Sequence, residues 1–133
     1  MLDASVAVAW CFEDGDTSYA TAALDAAGEG ANIHVPAIWP LEVANALLVA
    51  VRRQRLSPDK LPQGIELLRS LRLAVDVEGS RRVFSQTLTL ARDHDLTTYD
   101  ASYLELSLRL RLPLCSLDRA LREAAIRAGA GLF

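Results

Sequence analysis

Short apolar segments alternate along this chain with longer segments that have helical periodicity. The predicted strands are Leu2–Asp3, Ile33–Val35, Leu73–Val77, Leu112–Cys115 and, at one edge, Leu132–Phe133. The predicted helices span 5–12, 18–27, 38–51, 58–72, 80–94, 97–109 and 118–128, with a break at Glu13–Asp16 and Thr17 or Ser18 as the second helix's cap. Because strands that alternate with helices form parallel sheets covered on both faces, we expect an α/β fold with a short central parallel sheet.

The bulk properties are those of one globular domain. The chain has 133 residues, of which 51% are hydrophobic and 23% charged, enough for a buried core. It contains no run of about eighteen apolar residues, as a membrane helix requires, and its start lacks the basic and apolar regions of a signal peptide. The two cysteines, Cys11 and Cys115, are too few for a disulfide framework or a zinc site. We therefore expect a single cytoplasmic domain without a membrane segment.

Four acidic residues lie beside apolar segments, at predicted strand ends or helix starts: Asp3, Glu42, Asp100 and Asp118. In parallel sheets, ligands bind beyond the carboxyl ends of the strands, so we expect all four at one rim. Carboxylates that converge there repel one another unless they share a cation. Ligation by oxygen alone suits Mg²⁺ or Mn²⁺. The sequence therefore predicts a metal site and favours metal-dependent phosphodiester chemistry.

Three of these acids also have a structural explanation. Asp3 could simply cap the first helix. Thr97 and Asp100 have the spacing of a capping box, with Asp in place of the usual Glu. Asp118 could be the N-cap of the last helix, assisted by Ser116. For each residue taken alone, the capping role is at least as well supported as a catalytic one.

Capping cannot explain Glu42. The segment 38–51 is apolar nearly all round, which predicts a buried helix. A carboxylate inside such a helix needs a counter-charge, full hydrogen bonding or a proton. Asn45 follows three residues later on the same face, where it could orient a carboxylate or a water.

The net charge of −3 does not favour a nucleic-acid partner, but the distribution of charge is compatible with one. Thirteen of the fourteen basic residues are arginine, which suits bidentate phosphate contacts, although solvated helix faces would also explain them. Lys60 is the only lysine, which argues against aspartyl-phosphate enzymes, and the segment Gly28–Gly30 lacks the third glycine of a phosphate-binding loop.

Four segments together resemble the PIN-domain ribonuclease family, especially its VapC-type toxins. They are L-D-A-S-V at Leu2–Val6, P-L-E-V-A-N-A-L at Pro40–Leu47, T-T-Y-D-A-S-Y-L at Thr97–Leu104 and S-L-D-R-A-L at Ser116–Leu121. Their order and spacing match over essentially the whole chain. The resemblance implies one PIN domain over residues 1–133, folded as a three-layer α/β/α sandwich. It also implies a metal-dependent endoribonuclease that cleaves RNA as the toxin of a type II toxin–antitoxin pair.

The same resemblance assigns roles to individual residues. The catalytic, metal-binding acids are Asp3, Glu42, Asp100 and Asp118, and their polar supports are Ser5, Asn45 and Ser116. Arg119, near the rim, would position the RNA backbone. The family further suggests a homodimer, held partly by helices of the first half, and neutralisation by a small cognate antitoxin protein.

One departure from the family is the short first strand. Only Met1 and Leu2 precede Asp3, which predicts a shortened strand and a less firmly held Asp3. Two alternatives to an RNA nuclease stay open. One is a PIN-like module that binds RNA or protein, keeps a structural metal and has no activity. The other is a nuclease for DNA, although such relatives carry large insertions for which this chain has no room.

Overall fold

The computed structural model of the chain describes residues 1–12 and 18–133. The α-helices in these ranges are α1 Ala4–Ala9, α2 Ser18–Gly28, α3 Trp39–Arg52, α4 Leu61–Ser70, α5 Leu88–His94, α6 Thr98–Leu110 and α7 Arg119–Arg127. Two strands, β1 Ile33–Pro36 and β2 Leu73–Asp76, form a parallel pair. The predicted break at Glu13–Asp16 and the alternative cap Thr17 lie outside the described residues.

Extended segments continue this strand pair into a wider parallel layer. Beside β1, the Leu2 N–H donates to the His34 carbonyl at 3.1 Å. A parallel bridge then joins Leu2 to Cys115, and a second one joins Leu114 to Leu132. The prediction of an α/β fold with a short central parallel sheet is confirmed. In the described ranges, however, three of the five predicted strands pair only through isolated bridges, and the regular ladder is formed by β1 and β2.

Helices pack around this layer and bury the core. Helix α1 packs on α2 and α3, and α6 packs on β1, α5 and α7. The largest apolar side chains that are fully buried come from most layers of the fold: Val6, Val35, Tyr103, Leu104, Leu106, Leu114 and Leu121. Helix α6 supplies three of them and packs directly on β1. Within the described ranges, no helix is both long and apolar enough to cross a membrane.

Helix α4 begins later than the sequence predicts. Ser57 and Pro58 have the pattern of a helix start, but residues 58–60 form a turn and α4 begins at Leu61. Pro62, which falls inside the predicted helix 58–72, lies in the first turn of α4. Its missing N–H has no helical partner at that position, so the helix accepts the proline there.

The segment predicted as one helix from Ser80 to His94 consists of three consecutive helical pieces of different type. A 3-10 helix, Glu78–Arg82, is followed by a π-helical turn, Val83–Thr87, and then by α5. The tight start has a local cause, since Asp76 Oδ2 accepts a hydrogen bond of 2.9 Å from the Gly79 N–H. This bond draws the chain into a turn narrower than an α-helix at the end of β2.

Helix α3 is not buried all round, so that prediction is wrong. One face is in the core and consists of Trp39, Val43, Leu47 and Ala50. The other face exposes 68% of Leu41 and 45% of Leu48. The apolar pattern continues around the helix, but among the described residues no layer covers the side that carries Leu41 and Leu48.

Candidate active site

Asp3 lies where the first extended segment meets α1, and it is only 6% exposed. The hydroxyls of Ser5 and Ser116 both donate to its Oδ2 atom, Ser116 at 2.7 Å. Asp3 occupies the N-cap position of α1 without a side-chain capping hydrogen bond. The backbone N–H groups of Ala4 and Ser5 nevertheless lower its pKa, so the residue faces the start of the helix but is not explained by capping alone. Burial raises the pKa of Asp3, and the two hydroxyls offset only part of that increase.

The predicted supports Ser5 and Ser116 tie Asp3 to the loop before α7. Ser5 Oγ accepts from the Leu117 N–H at 2.9 Å, and Ser116 Oγ accepts from the Asp118 N–H at 3.0 Å. Each serine therefore donates to the carboxylate and accepts from the backbone. Since the Asp3 N–H also donates to the Cys115 carbonyl at 2.9 Å, the expectation of a loosened Asp3 is wrong for this structure.

Glu42 reaches the same region from the first turn of α3, where it is half-buried. The Tyr103 hydroxyl donates a short hydrogen bond to its Oε2 atom. Burial raises the pKa of Glu42, the bond from Tyr103 opposes this, and the negative charges of Asp3 and Asp100 raise the pKa further. The structure thus brings three predicted acids close enough for their charges to interact.

Tyr103 is the residue of this site that the sequence analysis missed. It is fully buried in α6, one turn after Asp100. Burial and the contact with Glu42 raise the pKa of Tyr103 well above its ordinary value, so the hydroxyl keeps its proton. The available signal was a tyrosine on the same helix face as a candidate ligand, because a buried phenol needs a polar partner.

Asp100 has both a capping environment and a place in the acidic group. Its N–H donates to Thr97 Oγ1 at 3.1 Å, which confirms Thr97 as the N-cap of α6. The Thr97 hydroxyl in turn donates to Asp100 Oδ2 at 2.7 Å. The cap fixes the first turn of α6, and this turn holds the carboxylate near Glu42. Here the structural and the functional explanations are compatible.

Asp118 is the most peripheral of the four acids. Its Oδ1 atom accepts from the Leu121 N–H at 2.7 Å, which confirms it as the N-cap of α7. The side chain is exposed, and its link to Asp3 runs through Ser116. Arg119 follows it, also exposed, with its Nε 2.7 Å from Glu123 Oε1.

Asn45 lies on the exposed side of α3. In the part of the chain that the structure describes, no hydrogen bond joins it to Glu42. Its role as a support of that carboxylate therefore stays a prediction.

The donor atoms suit a hard cation, although their arrangement is not a finished ligand set. Each of the four carboxylates accepts from a hydroxyl or a backbone N–H. Among residues 1–12 and 18–133, no three His, Cys, Asp or Glu side chains are grouped so that they could hold a metal ion. Yet all the donors are oxygens, and no arginine or lysine of the described ranges pairs with Asp3 or Glu42. A buried negative charge without a cationic partner is what a divalent ion would neutralise.

Comparison with known proteins identifies the family of the chain. The family model described as "PIN domain" matches residues 1–127. A curated protein named "Ribonuclease VapC3", from Pyrobaculum aerophilum, is 31% identical over 123 residues, which cover 92% of this chain and 92% of that protein. The residues that the family model matches include all four acids.

Proposed function

Because the chain belongs to the PIN-domain family and is a VapC-type member of it, we propose that it is a metal-dependent endoribonuclease that hydrolyses RNA phosphodiester bonds. One observation carries the proposal. Asp3, Glu42 and Asp100 interact electrostatically at one edge of the sheet, and the buried Asp3 has hydroxyls rather than a basic residue as partners. The similar protein from Pyrobaculum aerophilum, which is named a ribonuclease, supports the choice of substrate.

In this proposal the acids hold Mg²⁺ or Mn²⁺, with Asp3 and Asp100 as central ligands. A bound divalent ion supplies Lewis acidity that activates water and offsets charge on the phosphate. Glu42 and Asp118 complete the coordination or orient the attacking water. Ser5 and Ser116 keep the Asp3 carboxylate in one orientation, as hydrogen-bonding partners of metal ligands do.

The positively charged groups at the rim would bind the RNA backbone. Arg119 begins α7 next to Asp118 and is almost fully exposed, so its guanidinium can leave Glu123 for a phosphate at small cost. Asn45, which is also exposed, would assist Glu42 after a change of rotamer.

We further propose that the protein acts in the cytoplasm as the toxin of a toxin–antitoxin pair and forms a homodimer. Its VapC-type family membership supports the antitoxin as a partner. The exposed apolar face of α3, with Leu41 and Leu48, supports a contact in the first half of the chain. Light scattering of the purified protein with and without the candidate antitoxin measures both associations.

The decisive experiment assays the purified protein on structured RNA with Mn²⁺, with Mg²⁺ and with excess EDTA. Cleavage should require the metal. Asp3→Asn and Asp100→Asn should each reduce the rate by about 10³-fold or more, since Lewis-acid catalysis contributes several kcal/mol. Asp25→Asn, which changes an exposed carboxylate on α2, is the matched control and should keep the parent rate.

The other results separate the alternatives. Full activity in EDTA, or in either site variant, would contradict the proposal. Metal binding without cleavage of any RNA would favour the PIN-like module with a structural ion. Faster cleavage of a DNA of matched sequence would make the protein a DNA nuclease.

A further inference from the structure

The contact between Tyr103 and Glu42 joins two helices at the acidic group. Tyr103 comes from α6 and Glu42 from α3, and the two residues are 61 positions apart in the chain. The phenol ring is fully buried, so its position is set by the packing of α6 against the sheet. The hydroxyl at the end of this fixed ring is therefore a rigid donor, whereas the glutamate side chain is flexible.

Glu42 needs such a donor to stay where it is. The negative charges of Asp3 and Asp100 act on it, and both disfavour a third carboxylate nearby. The side chain is half-buried, so a change of rotamer towards water would relieve this repulsion. In the described part of the chain, the bond from Tyr103 is the only hydrogen bond to the Glu42 carboxylate. It is the contact that opposes the outward movement.

The nature of the donor also matters. An arginine or lysine at this position would hold Glu42 equally well, but it would neutralise the charge that attracts a cation. A tyrosine hydroxyl supplies a hydrogen bond and no charge. The serine hydroxyls on Asp3 have the same property. The site is thus held in place by neutral donors, and its negative charge is preserved.

We propose that Tyr103 is a positioning residue for metal binding: its neutral hydroxyl keeps the Glu42 carboxylate turned towards α6, so that Glu42 can join Asp3 and Asp100 when a divalent cation draws these acids together. This inference rests on the proposed function, because it assumes that the acids bind Mg²⁺ or Mn²⁺. Tyr103 does not touch the metal or the RNA. It acts through Glu42 alone.

The test is a titration of the purified protein with Mn²⁺ alone. Binding is measured by calorimetry or by the EPR signal of the free ion. Tyr103→Phe removes the hydroxyl and keeps the buried ring, so the variant should fold and melt close to the parent temperature. Its affinity for Mn²⁺ should fall by about 10- to 100-fold, the usual effect of removing a group that orients a metal ligand. Tyr99→Phe removes a hydroxyl from the exposed tyrosine of the same helix and should bind Mn²⁺ like the parent.

A double-mutant cycle shows whether Tyr103 acts through Glu42. In a Glu42→Gln background, Tyr103→Phe should weaken Mn²⁺ binding by less than threefold, because the carboxylate that it positions is gone. An equal loss in both backgrounds, or parent affinity in the single Tyr103→Phe variant, would overturn the inference. A parent protein that neither binds Mn²⁺ nor cleaves RNA would instead overturn the proposed function itself.

Discussion

Asp3 and Glu105 are buried to almost the same degree, 6% and 5% exposed, but their partners differ in charge. Glu105, in α6, accepts from Arg109 Nε at 2.9 Å and lies 3.7 Å from Arg82 Nε. In the described ranges, the partners of the Asp3 carboxylate are neutral: the hydroxyls of two serines and nearby backbone N–H groups. The fold therefore neutralises one buried carboxylate internally and leaves the other negative. The difference suggests that Glu105 stabilises the fold, whereas the charge of Asp3 is retained for a ligand.

Glu105 belongs to a charged cluster, formed with Arg109 and Asp76, that links α6 to β2. Arg109 also donates to Asp76 at the end of β2, at 2.6 Å, so one guanidinium bridges α6 and the sheet. Its hydrogen bonds to Glu105 and Asp76 raise the pKa of Arg109, which stays charged at any pH of interest. We infer that this cluster fixes the angle of α6, and with it the positions of Asp100 and Tyr103.

The largest expected effect on stability is that of Glu105→Gln. The substitution leaves Arg109 partly buried with one carboxylate partner fewer, and we expect a loss of about 2–3 kcal/mol in the free energy of unfolding. Urea denaturation followed by circular dichroism measures this as a lower midpoint with an unchanged slope. A midpoint equal to that of the parent would show that the cluster does not stabilise α6.

Asp3→Asn should change stability less than Glu105→Gln does, and it should stabilise the folded protein at neutral pH. Burial raises the pKa of Asp3 in the folded state, so the folded protein binds this proton more tightly than the unfolded chain. The stability that this tighter proton binding contributes is fully present below the pKa of Asp3 in the unfolded chain, near 4. It is lost as the pH rises through the pKa of Asp3 in the folded protein. The asparagine variant has no such loss, and its amide oxygen can still accept from both serines.

We therefore compare urea midpoints of the parent and Asp3→Asn in EDTA from pH 4 to pH 8. The variant should gain stability relative to the parent as the pH rises. Glu42 contributes to the difference in the same direction, because the charge of Asp3 raises the pKa of Glu42 and the substitution removes that charge. A difference that is flat across this range would show that the Asp3 carboxylate is not destabilised by its burial.

The smallest effect belongs to a surface ion pair that serves as a control for the buried ones. Glu123 pairs with Arg119 one helical turn away, and the hydrogen bond with this arginine lowers the pKa of Glu123. Both side chains are solvated, so Glu123→Gln should leave the urea midpoint unchanged. A decrease as large as that of Glu105→Gln would mean that burial does not explain the contrast between these acids.

Local patterns in the sequence predicted much of this structure. The order of strands and helices is correct because it depends on periodicity within short segments. The caps at Thr97 and Asp118 are correct because an N-cap bond joins residues two or three positions apart. The start of α4 was wrong because Ser57–Pro58 and Pro62 are both acceptable helix starts, and local pattern does not choose between them.

The candidate site was predicted in its residues but not in its contacts. Ser5 and Ser116 were expected as supports, whereas the bond from Tyr103 to Glu42 was not. The ion pairs of Glu105 were also missed, although Arg109 lies one turn away on the same helix. An acid in an apolar segment shows that a partner is needed, but the sequence does not say whether that partner is a hydroxyl, a guanidinium or a metal.

By itself, the sequence determined the succession of elements, the helix caps and the position of each acid at a strand end or helix start. These features depend on interactions between near neighbours in the chain. Only the tertiary structure decided which buried carboxylate receives arginines and which receives hydroxyls, and which face of α3 stays open. Those outcomes depend on contacts between residues far apart in sequence, and the cost of burying a charge is set by whatever the packed neighbours place beside it.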